Sequence, residues 1–245
     1  MTQCIHDWVT VRYWVDGGMV HIRGEGWQRP ADTLSGALLM IQEDLYILPS
    51  ALENSLLDVA LTNPAAQKDA VREVCMELRR NGFDLVMVDC PPSLGAAVIS
   101  TICAAHIIVI PVGHDTFSLR GMRLTRQEIR SICRTFSLEP PVEKILYTNF
   151  DRRLKLSTER LRQLYYEFND TLVPVPIRTS SEYSKSLAEH RTIFASTNKS
   201  YAKHDYDLYD RHFLGLDSAA KTSFNPNGGD DPAEQVASQL SVIED

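Results

Sequence analysis

From about residue 45 onward, short apolar runs alternate with longer stretches whose apolar positions recur every three or four residues. The first pattern fits buried strands and the second fits amphipathic helices. Together they predict strands over 45–48, 84–89, 106–111, 143–149 and 171–175, and helices over 50–61, 64–81, 93–104, 117–136, 156–169, 181–189 and 199–213. The helix over 64–81 has legible ends. Asn63-Pro64 offers a cap followed by a proline at the first helical position, and Arg79-Arg80-Asn81-Gly82 offers basic residues and a glycine stop. Strands alternating with helices specify the α/β class: a doubly wound, mainly parallel sheet with helices on both faces. No internal repeat interrupts the series.

The two ends read differently. Trp8–Val15 is rich in β-formers, Asp16-Gly17-Gly18 makes a turn, and Met19–Ile22 resumes the run, which is a hairpin signal. Residues 34–43 look helical. The expected organisation is an atypical N-terminal segment over 1–40, an α/β domain over 41–216 and an acidic, largely disordered tail over 217–245. That tail contains Asn225-Pro226-Asn227-Gly228-Gly229 and lacks an apolar period until a short helical stretch after Ala233.

Composition narrows the class without naming a function. A chain of 245 residues with 44% hydrophobic and 23% charged residues can build one α/β domain with a real core. No run approaches the ~18 apolar residues of a membrane-spanning helix, and no secretory leader pattern opens the chain. The five cysteines at 4, 75, 90, 103 and 133 form no C-x-x-C, so they read as reduced thiols, with Cys75, Cys90 and Cys103 as core filler. The net charge is −7, and six acids against Lys221 after residue 216 account for −5 of it, leaving −2 for residues 1–216. Such a balance does not announce a nucleic-acid binder.

The densest chemical signal is Phe83-Asp84-Leu85-Val86-Met87-Val88-Asp89-Cys90-Pro91-Pro92-Ser93-Leu94-Gly95. An apolar run ends in one carboxylate, and two prolines that cannot donate to a ladder stop it at once. That places Asp89 at the carboxyl edge of a parallel sheet, where open α/β folds bind ligands. A carboxylate there suits the water shell of a nucleotide-bound Mg²⁺, the Walker B position.

FDLVMVDCPPSLG resembles the Walker B segment of the ParA family of partition ATPases, relatives of MinD and the nitrogenase iron protein. Four further stretches are similar to the family in the family's order. Leu45–Ser50 looks like its "L.LIP(A/S)" strand. Ala105–Val112 with Phe117–Met122 resembles its "PV…(Y/F)(S/A)L.G" strand and helix start. Leu146–Ser157 resembles "T.YD.R…LS", and Val175–Ser180 resembles "IP.R". The likeness covers roughly residues 45–215 and implies a P-loop NTPase-like fold, incomplete at the N-terminus.

The family's phosphate loop, K-G-G-x-G-K-T, occurs nowhere in the 245 residues, nor does its "D.DPQ" segment. In the family, the strand before that loop is central to the sheet. Unpaired buried backbone groups cost roughly 1–3 kcal/mol each, so losing such a strand rivals the ~5–15 kcal/mol stability of a domain. The expectation is a chain poorly stable alone unless the 8–22 hairpin fills the gap. A truncated product or mis-set start is favoured over an evolved pseudo-ATPase.

The resemblance implies ATP and Mg²⁺ as ligands. It places Asp89 on Mg²⁺ through water, with Pro91 beside it. It places Thr148, Asn149 and Asp151 at the base edge, and Pro174 and Pro176 on an apolar wall of the adenine pocket. Bland readings compete: Asn and Asp after a strand favour turns, and prolines favour an edge-strand terminus. Asp115 reads as a cap for helix 117–136. His106 and His114 read as structural or solvent-facing, since no His/Cys cluster has metal-ligand spacing.

The resemblance further implies a nucleotide-dependent homodimer in the cytoplasm, associated with the bacterial nucleoid. It would bind non-specific DNA, respond to a ParB-like centromere-binding protein, and make no membrane contact, since an acidic tail is unlike a basic amphipathic anchor. The residues nearest the family's DNA-facing region are Arg178, Lys185, Arg191, Lys199 and Lys203, though Glu182 stands where a second arginine belongs. Lys199 and Lys203 lie i, i+4 on one expected helix face. Arg120, Arg123, Arg126 and Arg130 form a second stripe, read as a solvated face. The alternative to a partition ATPase is a non-catalytic ParA-like interaction protein or a truncated fragment.

Overall fold

Asn63 starts the first long helix as its side chain suggests: its Oδ1 accepts the Ala65 N–H at 2.9 Å, and Pro64 occupies the first turn. The helix, α1 (Pro64–Arg80), ends where Asn81 caps it and Gly82 turns left-handed at φ +90°. The computed structural model describes residues 8–9, 22–23, 38–42, 45–47, 63–189, 191–195 and 200–213. The 16–18 turn, helix 50–61, Lys199 and the 217–245 tail lie outside the described residues.

The chain divides into two units. The first comprises residues 1–106 and 127–141, and the second comprises 107–126 and 142–245. In the first, β1 (Trp8–Val9) pairs antiparallel with β2 (Ile22–Arg23), in the register Trp8↔Arg23 and Val9↔Ile22 that a hairpin gives. The helix expected over 34–43 is corrected: Leu39–Gln42 is a strand, β3, antiparallel to β4 (Leu45–Ile47). A four-residue apolar run cannot separate helix from strand by period alone, and a second apolar run two residues later supplied the partner. Among the described residues, β1 and β2 pair with each other and not with the remaining strands.

The first unit's core is α1 against α2 (Ala96–Ala104) and the 83–88 segment. Val71, Val74 and Leu78 of α1 are buried, with Phe83, Val86 and Val88 packed on them. Small residues bring the helices close: Ala70 and Ala96 are buried with Ala66 and Ala97 around them. Buried Ser100 uses its Oγ to accept the Val71 N–H at 2.9 Å. Arg72 donates from Nη2 to the Cys103 carbonyl at 2.8 Å, tying α1 to the end of α2. Gly95, extended at the start of α2, delays that helix from the predicted 93 to residue 96.

The strand expected over 84–89 is a second correction. Residues 83–88 carry no ladder, and Asp89 alone makes an isolated bridge. The side chains explain the difference: Val86 and Val88 dock on α1 while Asp84 and Met87 are exposed, so the segment packs on one side only.

The second unit holds the parallel sheet. β5 (Ile107–Val112) and β6 (Val142–Tyr147) run in register from Ile107↔Val142 to Val112↔Tyr147. The connection is α3 (Thr116–Thr135), and α4 (Lys155–Phe168) follows β6. The strand expected over 171–175 reduces to a single parallel bridge, Ile145↔Leu172. The two donors to β6 stand four positions apart where a regular ladder has two, and prolines 174 and 176, each with a fixed φ, lie in that excess. Only Val173 and Ile177 donate to β6, to Ile145 O and Tyr147 O, both at 2.8 Å. Leu146, Val173 and Ile177 form a core with Tyr209 of α6 (Tyr201–Phe213), and α5 (Ser181–Ala188) adds Tyr183 to its edge.

Candidate functional site

Two groups of candidate residues fall in different units and are taken separately. In the first unit, Asp89 closes the 83–88 segment, and Asp89, Cys90, Pro91, Pro92, Ser93 and Leu94 are all exposed. The loop therefore presents its carboxylate and prolines outward. Cys90 is exposed as a residue, yet its thiol bonds to Thr101 and burial pushes it up to about 11, so its sulfur faces inward; Cys103 and Cys133 are buried and Cys75 is half-buried. Burial pushes the Cys103 thiol up to about 11.

In the second unit, the carboxyl ends of β5 and β6 deliver two loops to one sheet edge. The loop after β5 is locked by its own side chains. Asp115 Oδ1 accepts the Ser118 N–H at 2.8 Å, the capping role expected of it, and Ser118 Oγ accepts the Gly113 N–H at 2.7 Å. A Cβ at Gly113 would come within 3.3 Å of the Asp115 carboxylate, so the turn is tight. His114 is held by its carbonyl, which accepts from Arg160 Nε of α4 at 3.2 Å, while its buried Nδ1 has no protein partner.

The loop after β6 begins with Thr148, whose N–H donates to Val112 O at 2.9 Å and so fastens the two loops together. Asn149 sits at φ +56°, a left-handed conformation that Asn tolerates better than most residues and that turns the chain sharply off the sheet. Beneath it, fully buried Tyr147 donates or accepts at 3.0 Å with Ser157 Oγ, and Ser157 Oγ also accepts the Asp151 N–H at 3.2 Å. Asp151 binds Arg153 in a fork, with Arg153 Nε at 3.0 Å and Nη2 at 2.9 Å. The Arg153 hydrogen bonds hold the Asp151 carboxyl below the usual carboxylate range. Pro174 is exposed, and Pro176 is buried beside Ile177. Thr148, Asn149 and Asp151 thus share one loop with a fixed backbone. The sequence reading missed the Tyr147–Ser157 support, because ten residues of spacing carry no motif.

The cations expected to face DNA fare differently. Arg178 is corrected: it is buried, and its Nε donates to both Asp205 oxygens at 3.0 Å while its backbone N–H donates to Asp205 Oδ2 at 2.9 Å. Its guanidinium also lies 4.1 Å from the Tyr201 ring centroid. A group so enclosed is an internal strut. The signal was present in the sequence: Ala202, Asp205 and Tyr209 fall on the buried stripe of α6, and an acid on such a stripe needs a partner. Lys185 pairs with Glu182 at 3.0 Å yet leaves its side chain 57% exposed. Arg191 pairs with Glu189, and Lys203 donates from Nζ to Phe194 O at 3.3 Å. The arginine stripe on α3 is only partly solvated. Arg123 binds Glu167, and Arg126 binds Glu143 and lies 5.0 Å from the Phe168 centroid, tying α3 to β6 and α4.

The donor set limits what Mg²⁺ and a nucleotide would find. No group of three or more His, Cys, Asp or Glu side chains among the described residues is arranged to hold a metal directly. Mg²⁺ commonly keeps several waters and leans on one carboxylate plus phosphate oxygens, which an exposed Asp89 suits. For the phosphates, the 245 residues offer no glycine–lysine loop of the family type.

A parallel β5–β6 pair, crossover helices and loops gathered at the carboxyl ends mark a protein of the α/β class. Residues 32–140 match the family model described as AAA domain. The chain is 26% identical over 148 residues to the chromosome-partitioning ATPase Soj of Treponema pallidum, covering 59% of this chain and 58% of Soj. It is 26% identical over 162 residues to the cell division protein PomZ of Myxococcus xanthus, covering 66% of this chain and 50% of PomZ. A plasmid partition protein of Borrelia burgdorferi bound to AMPPNP shares the fold with a TM-score of 0.54 at 14% identity, over 74% of this chain and 69% of that one. These relatives support the resemblance first carried by the Asp89 segment, to the ParA-type partition ATPases. The chain spans 58% of Soj and 50% of PomZ, about half the length of these curated relatives. No helix among the described residues is long and apolar enough to cross a membrane.

Proposed function

We propose that this chain is a ParA-like partition protein, a dimerising switch that takes Mg·ATP, binds DNA without sequence preference and answers to a ParB-like centromere-binding partner in the cytoplasm. The observation that supports it best is the exposed Asp89 after an apolar run, in a chain similar to a chromosome-partitioning ATPase and a cell division protein. Asp89 would hold the water shell of Mg²⁺, and Thr148, Asn149 and Asp151 would border the base. Mg²⁺ would supply charge neutralisation of the phosphates. No hydrolytic step is assigned to these residues, since none of them can replace the loop lysine. Calorimetric titration of the full chain with Mg·ATP tests the reading. Micromolar binding, weakened about tenfold or more by Asp89→Ala, is the expected result. A folded, monodisperse chain that takes up no heat would leave the non-catalytic interaction protein.

The DNA reading now rests on Lys185, Arg191 and Lys203, with Lys199 outside the described residues and Arg178 withdrawn. Each phosphate contact adds a roughly unit increment to the salt dependence of binding. Fluorescence anisotropy on a mixed-sequence duplex is therefore expected to show a log–log salt slope that drops by about one for Lys185→Ala and again for Lys203→Ala. An unchanged slope in both variants would remove these helices from any DNA contact.

A further inference from the structure

We propose that the start of α4, residues 152–156, is a peripheral contact surface for membranes of anionic phospholipid. Arg152, Arg153, Leu154, Lys155 and Leu156 are five consecutive exposed residues in which leucines are interleaved with cations. The Arg153 and Lys155 side chains are 87% and 90% exposed, and Leu154 and Leu156 are 46% and 52% exposed. The helix they begin gains little from them. Leu154 is the N-cap of α4 and makes no cap bond, where Ser, Thr, Asp or Asn would serve. Lys155 follows at the first helical position with no acid in the first turn, so its charge opposes the helix dipole. Two local choices that cost the helix point to a use outside the fold. A bilayer surface reconciles them: the leucines enter the boundary between headgroups and acyl chains, while the cations stay among anionic headgroups.

Charge and shape choose the occupant. Residues 151–156 carry three cations against Asp151, a net +2, and Asp151 is already bound in the Arg153 fork. Glu159 reaches Lys155 at 3.7 Å in an exposed pair that contributes little. Side chains as exposed as Arg153 and Lys155 stand on a ridge, whereas a peptide helix docks in a groove. Nucleic acid would use the cations but not the leucines, which give no stacking face to a base. Phe117, 87% exposed, adds a third apolar side chain at the same sheet edge. It lies three residues after His114, whose carbonyl Arg160 of α4 holds at 3.2 Å. All of these residues belong to the second unit. The acidic tail that is unlike a basic amphipathic anchor is not part of this surface.

The experiment is flotation of the full chain, without nucleotide, on phosphatidylcholine vesicles with and without about 30% phosphatidylserine. The wild type is expected to float with the phosphatidylserine vesicles alone and to be released by about 0.5 M salt. Leu154→Ser with Leu156→Ser is expected to cut uptake about tenfold or more. Leu154→Ser by itself is expected to hold or raise the melting midpoint, because it supplies the missing cap, so its loss of uptake is not a loss of fold. Lys155→Glu is expected to lower uptake while suiting the helix dipole better. Arg211→Gln, which removes an exposed cation from α6, is expected to float as the wild type does. A wild type that floats with neither vesicle, or equally with both, would overturn the proposal. So would serine variants that float undiminished, which leave a contact by charge alone with any polyanion. Loss of flotation in Arg211→Gln would also overturn it, by moving the contact away from α4. Because nucleotide is absent, the outcome is independent of whether the chain binds Mg·ATP.

Discussion

Replacing Asp205 with alanine is expected to destabilise the protein more than any other polar substitution in the described residues, by about 3–5 kcal/mol. The carboxylate is 2% exposed and the Arg178 side chain 9%. Removing it leaves a guanidinium buried with no counter-charge and also strips the Arg178 N–H of its acceptor. Both are costs of an unmade bond, which exceed the net gain of a made one. For a chain of this length, each kcal/mol moves the melting midpoint by about 2–4 °C, so a fall of roughly 6–20 °C is expected in a thermal melt. The paired replacement Arg178→Met with Asp205→Leu is expected to recover most of the loss, since apolar residues of similar volume carry no desolvation penalty. If the double variant melts as low as Asp205→Ala, packing rather than the uncompensated charge is responsible. The same experiment separates the strut from a DNA-facing arginine, because the strut acts on stability without any ligand present.

Tyr147→Ala is expected to cost about 3–5 kcal/mol, as for other buried aromatic truncations. Tyr147 is the last residue of β6, is fully buried, and packs at 5.9 Å centroid distance on Phe150. Its hydroxyl meets Ser157 O and Oγ, both at 3.0 Å, and burial pushes its own ionisation upward. Tyr147→Phe keeps the ring and removes only those bonds, so a loss of about 1 kcal/mol is expected. Chemical denaturation with both variants measures the two parts. The smaller change has the more local consequence. Ser157 Oγ also supports the Asp151 N–H, so amide exchange at residues 148–151 is expected to quicken in Tyr147→Phe while that of β5 does not. Equal exchange in both segments would mean that the hydroxyl does not hold the loop.

Local chemistry made much of this protein legible. Asn63-Pro64 and Asn81-Gly82 marked α1 to within a residue because caps and glycine act on the backbone beside them. The apolar runs read as strands 106–111 and 143–149 marked the parallel pair to within two residues, and Asp115 announced its cap. The Asp89 segment carried the resemblance that the relatives support. Where the reading failed, a partner distant in sequence was decisive. Leu39–Gln42 became a strand because Leu45–Ile47 paired with it. The segment 84–89 looked like a strand, but strands exist only as ladders, and residues 83–88 dock on α1 instead. The next predicted strand kept one bridge, because the segment holding Pro174 and Pro176 leaves the regular register between its two bonds to β6.

The sequence alone determined the α/β class, the parallel β5–α3–β6 unit and the ends of α1, because periodicity, caps and glycine act within a few residues. Tertiary structure alone decided which charges are free. Arg178, Arg123 and Arg126 read as surface cations in the sequence, yet they bind acids 27, 44 and 17 residues away. Charge type is written in the chain, but its pairing depends on which distant carboxylate the fold brings within hydrogen-bond reach.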